Sequence, residues 1–85
     1  MITHVAIRFR DQIWSLPRPN RHHHVIRMIV EKTNCETVCD DEQGFLDDTG
    51  QFLTREEALK VALQHNQVKD VNDIRCGMLF SEDVW

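Results

Sequence analysis

The chain has 85 residues, 41% of them apolar and 28% charged, which is enough for one domain spanning 1-85 and one modest core. A net charge of −4 argues against duplex nucleic acid as a partner, because phosphates repel an acidic surface. No apolar run approaches the roughly 18 residues of a membrane span, and Thr3, His4, Arg8 and Arg10 interrupt any apolar leader, so a cytoplasmic protein without a membrane partner is expected.

Residues 2–9 alternate, with Thr3, Val5, Ile7 and Phe9 on one face and His4, Ala6 and Arg8 on the other, the pattern of a half-buried strand. Arg10-Asp11 form a short turn into a second, antiparallel strand over residues 12–16. Pro17 and Pro19 end it, since proline cannot donate to a ladder. Asn20 is the expected cap of a helix running to Thr33, with Val25, Ile26, Met28, Ile29 and Val30 as its apolar stripe. Residues 34–43 have no helical period and many acids, and read as a loop with a short strand candidate at residues 36–39.

Residues 44–67 are the clearest unit. Phe45-Leu46 and Phe52-Leu53 flank Asp47-Asp48-Thr49-Gly50, a tight hairpin in which Gly50 takes positive φ. Thr54 and Glu57 then make a capping box, and Ala58, Leu59, Ala62 and Leu63 give one apolar helical face. Residues 68–75 form a polar connection. Gly77-Met78-Leu79-Phe80 is a strand candidate, and Ser81 is placed to cap a last turn through Trp85. The sum is an α+β fold, a small antiparallel sheet of about four or five short strands with two helices on one face. The sheet's other face stays open, so a homo-oligomer is expected.

Charge is uneven along the chain. Residues 1–32 carry six Lys/Arg against Asp11 and Glu31, giving +4, while residues 33–85 carry four against twelve acids, giving −8. The basic part contains the most unusual local composition, Arg18-Pro19-Asn20-Arg21-His22-His23-His24. Backbone N–H groups at a helix start attract anions, and arginine or histidine beside them adds charge-assisted bonds. Arg21, His22 and His23, with Arg8 and Arg55 in support, are therefore the candidate ligand-binding residues; the alternative is a solvated helix start whose histidines pack locally.

A zinc site assembled from Cys35, Cys39 and Cys76 with one histidine is a weaker reading, since C-x3-C is half a motif and consecutive histidines point apart. An odd cysteine count fits a reducing compartment better than a disulfide framework. Neither a nucleophile elbow nor a phosphate loop is present, so no catalytic residue, metal or cofactor is expected.

Ser15-Leu16-Pro17, Arg21-His22-His23-His24-Val25-Ile26, Gly44-Phe45-Leu46, Gly50-Gln51-Phe52, Arg55-Glu56-Glu57-Ala58 and Leu79-Phe80-Ser81-Glu82-Asp83-Val84-Trp85 resemble, in order and spacing, a group of short proteins encoded by bacteriophages and prophages. The resemblance carries over no catalytic residue. It implies a phage accessory protein in the host bacterial cytoplasm, of the kind that counteracts host defence. Two expectations follow. One is a non-enzymatic binder that sequesters a small phosphorylated or nucleotide signal. The other is an inhibitor docking on a host protein through an acidic surface that includes Asp40, Asp41, Glu42, Asp47 and Asp48, with an exposed C-terminal Trp85 beside it.

Overall fold

The computed structural model describes residues 1–34, 42–74 and 77–85. The strand candidate at residues 36–39, the three cysteines and Asp40-Asp41 lie outside the described residues. Strands β1 (Ile2–Phe9), β2 (Gln12–Pro17), β3 (Glu42–Asp47) and β4 (Phe52–Thr54) form one antiparallel sheet in the order β2-β1-β3-β4. Helices α1 (His22–Thr33) and α2 (Arg55–Gln64) cover one face, α1 on β1 and β2, α2 mainly on β3 and β4. Short 3-10 helices follow at Val71–Asp73 and Ser81–Asp83. This is the expected α+β architecture.

The alternation of β1 places Val5, Ile7 and Phe9 in a core with Val25, Ile29, Phe45, Leu53, Ala58, Ala62 and Leu79. Arg8 is exposed on the opposite face. The register slips between Ile2 and His4. A slip of this kind reverses which side chain points inward, so Ile2 joins the core in place of Thr3. The freed Thr3 hydroxyl donates to the Asp47 carbonyl at 3.2 Å. Gln67 fastens the same end: its amide accepts from Ile2 N at 2.7 Å and donates to Ile2 O at 2.9 Å, as a strand neighbour would.

Both hairpins use left-handed backbone. Arg10 and Asp11 sit at φ 52° and 62°, the signs a type I′ turn needs, and Gly50 at 85°. Asp47 Oδ1 organises the second turn by accepting from the Thr49 hydroxyl, Thr49 N and Gln51 N. These bonds, the Thr49 hydroxyl's first, hold its carboxyl below the usual range. The capping box forms: Thr54 Oγ1 accepts from Glu57 N at 3.2 Å, and Glu57 Oε1 from Thr54 N at 3.0 Å. The bond from Thr54 N depresses the Glu57 pKa in turn.

Four local expectations are corrected. Glu42 and Gln43 belong to β3, because they pair with Arg8 and Ile7 of the long β1. Arg21, not Asn20, caps α1; the Asn20 side chain turns back to donate to the Pro17 carbonyl at 2.8 Å. Leu63 is 46% exposed, while Ala58 and Ala62 face inward with Leu59 and Val61 beside them. Residues 77–80 form no sheet strand; Leu79 instead enters the core and its N–H donates to the Arg55 carbonyl.

On the open face the Phe52 ring lies over Gly44, and the Arg8 guanidinium stands 4.7 Å from that ring's centre. A Cβ at Gly44 would strike the Leu53 carbonyl and come within 2.8 Å of Phe52 Cζ. The first obstacle is backbone and cannot step aside. Gly44→Ala should therefore cost about 3 kcal/mol or more, read as a lower urea midpoint at unchanged slope; a loss within error would mean that β4 can shift freely.

Candidate functional site

The start of α1 is built by a histidine. Arg21 N donates to His24 Nδ1 at 2.9 Å, and His24 N returns to the Arg21 carbonyl at 3.0 Å. The ring thus replaces the carboxylate of a capping box at the third helical position. An acceptor nitrogen is unprotonated, so this bond needs the neutral ring. Desolvation first, then the charges of His23, Arg27 and Arg21, push the His24 pKa below its ordinary value in the same direction. His23 is exposed, its ring 4.0 Å from that of His24.

His22 points the other way. It is buried, and Nε2 lies 2.7 Å from the Gly44 carbonyl, which can only accept, so Nε2 carries the hydrogen. The ring meets Phe45 edge-on at 5.0 Å. Of the three consecutive histidines, one packs in the core, one is exposed and one caps the helix.

Arg21 reaches across the molecule to the C-terminal segment, donating to the Trp85 main-chain oxygen at 2.9 Å with Glu82 Oε2 3.7 Å away. Trp85 Nε1 completes the exchange by donating to the Asn20 carbonyl at 2.7 Å, and its ring stands edge-on to Phe45 at 6.3 Å. At the start of α2, Arg55 treats the other end of the segment alike. It donates to the Leu79 carbonyl at 2.7 Å and Gln43 Oε1 at 2.6 Å, with its guanidinium 4.4 Å from the centre of the Phe80 ring. Between these anchors Ser81 and Asp83 are buried. The last turn is capped by Asp83 Oδ2, which accepts from Phe80 N at 2.9 Å, rather than by the expected Ser81.

The five candidate ligand residues therefore stand in five places. Arg21 and Arg55 grip opposite ends of residues 79–85, His22 is in the core, His23 is on the surface, and Arg8 lies across the sheet with Glu42 at 3.5 Å. The partners that define the two arginine sites are main-chain oxygens and Gln43, none of which a side-chain motif announces. The available signal was the shared appearance of Arg21, Arg55 and residues 79–85 in one resemblance pattern. Among the described residues no group of three His, Cys, Asp or Glu could hold a metal ion, and no helix is long and apolar enough to cross a membrane.

Residues 1–85 match the family described as Phage T4 y16D protein, and the chain belongs to that family. No curated protein and no solved structure matches it.

The two arginines should differ in weight. Arg55→Ala removes the guanidinium that donates to the Leu79 carbonyl and to Gln43 Oε1 and should cost about 2–3 kcal/mol. The Arg21 side chain is 37% exposed, so water can replace part of what Arg21→Ala removes, and about 1 kcal/mol is expected. Chemical denaturation followed by tryptophan fluorescence checks both; equal, negligible losses would mean that the segment is held by packing alone.

Proposed function

We propose that this member of a phage protein family is an accessory protein that acts without catalysis in the host bacterial cytoplasm, docking on a host protein and so counteracting host defence. The observation that most supports this reading is the spatial separation of charge. Residues 1–34, which build β1, β2 and α1, carry six Lys/Arg against two acids, whereas residues 42–64, which build β3, β4 and α2, carry five acids against two Lys/Arg. Strand order and helix placement turn this into a basic flank and an acidic flank of one sheet. An exposed acidic flank, with Asp48 at the hairpin and Glu56 on α2, suits a basic protein surface and would speed encounter with it.

Capture from host lysate followed by kinetics on the purified partner tests the proposal. Asp48→Lys with Glu56→Lys should slow association about tenfold at low salt, less at high salt, and leave stability within about 0.5 kcal/mol. A doubly reversed protein that binds the same partner as fast as the wild type would sink the reading.

A second reading, a small phosphorylated or nucleotide ligand at the start of α1, is favoured by one contrast. The first turn of α1 contains no acid, whereas that of α2 contains Glu56 and Glu57. Arg21 and His23 would meet the phosphate, and Glu82 would compete with it for Arg21. Calorimetry with a nucleotide panel should then show tighter binding to Glu82→Gln than to the wild type, by severalfold. Should neither protein bind any compound below the high micromolar range, no phosphate site exists here.

A further inference from the structure

The histidine that shapes the start of α1 also stands next to the clasp on the C-terminal segment. Arg21 N donates to His24 Nδ1 at 2.9 Å, and the Arg21 guanidinium donates to the Trp85 main-chain oxygen at 2.9 Å. The carbonyl just before it, that of Asn20, accepts from Trp85 Nε1 at 2.7 Å. The backbone at Arg21 is extended, with φ −118° and ψ 170°, and the His24 bond holds that conformation at the helix entrance. Both contacts to Trp85 are thus presented from a position that His24 fixes.

We propose that a proton on His24 unfastens Trp85 from the start of α1, while the Arg55 anchor at Leu79 stays in place. A protonated imidazole carries a hydrogen on both nitrogens, so Nδ1 then meets Arg21 N donor to donor and the bond is lost. The charged groups facing the ring act in the same sense. On α1 and its cap they are His23, whose ring is 4.0 Å away, Arg27 and Arg21, all basic. From the C-terminal segment Glu82 stands 3.7 Å from the Arg21 guanidinium and is engaged there. A charge on His24 therefore repels the group that holds Trp85. Desolvation and these neighbours make the folded ring bind its proton less readily than the ordinary value of 6.5. The clasp is therefore complete above that value and is lost as pH falls through the folded one.

Nuclear magnetic resonance of the wild-type protein between about pH 8 and pH 5 tests this, because the range brackets histidine titration. At the upper end the His24 ring should be the Nε2–H tautomer. As pH falls, exchange of the Trp85 Nε1 proton, corrected for its intrinsic pH dependence, should quicken about fivefold, the factor expected for loss of one helix cap. The midpoint should coincide with that of the His24 ring. The Leu79 amide, which donates to the Arg55 carbonyl, should stay protected throughout. His24→Gln keeps an acceptor at the third helical position and does not titrate, so its indole should stay protected at low pH. An indole unaffected through the His24 titration would overturn the proposal. So would a response that persists in His24→Gln, which would belong to another group such as the buried His22, or Leu79 protection lost in step with the indole, which would be global unfolding. Neither Asp48 nor Glu56 is involved, so failure here is distinct from failure of host docking.

Discussion

Two arginines, each at the start of a helix, hold residues 79–85 between them, and the core is closed only when that segment is in place. Arg55 grips the Leu79 carbonyl and Arg21 the Trp85 oxygen. Leu79 then fills the core and Trp85 covers Phe45. A guanidinium suits the task because its donors are fixed in a planar fork and its weak hydration makes partial burial tolerable. Arg21 and Arg55, two of the candidate ligand residues, pair with main-chain oxygens of the chain itself, and Ser81 and Asp83 are buried between them.

Charge follows the same logic of placement. The uneven distribution along the sequence would mean little if the strands interleaved. Because the first two strands and α1 build one side of the sheet and the last two strands and α2 the other, a difference in sequence becomes a difference across some of the molecule's surface. The ion pair between β1 and β3, Arg8 with Glu42, sits at the boundary. An exposed pair of this kind adds little stability, so its interest lies in orientation rather than energy.

What was legible in the sequence was local. Asp47-Asp48-Thr49-Gly50 and Thr54-x-x-Glu57 specify their own geometry within four or five residues, and both formed as read. Strand alternation was legible in β1 from Val5 onward but not at Ile2, where a register slip overrides parity. Asn20 has the better intrinsic capping propensity, yet Arg21 took the position because a neutral His24 supplied the acceptor and Trp85 claimed the Asn20 carbonyl. The histidine run looked like one site and became three, since successive helical positions diverge by about 100°. Illegible throughout were the partners of Arg21 and Arg55, because a main-chain oxygen some twenty or sixty residues away leaves no mark in composition or spacing.

The Gln67 amide, which completes the first strand at Ile2, has a kinetic consequence. It joins residues 65 apart, as does the indole bond from Trp85 to Asn20. Closure entropy rises only logarithmically with loop length, so such contacts are thermodynamically cheap, but they can form only after the chain between them is arranged. The hairpins and α2 are short-range structures that can appear early, while the amide and indole clasps, which need the whole chain arranged, are expected on the downhill side of the barrier. Interactions formed there act mainly on the unfolding rate. The two clasps therefore govern how long the native state lasts once it has formed, and the turns govern how quickly it is reached.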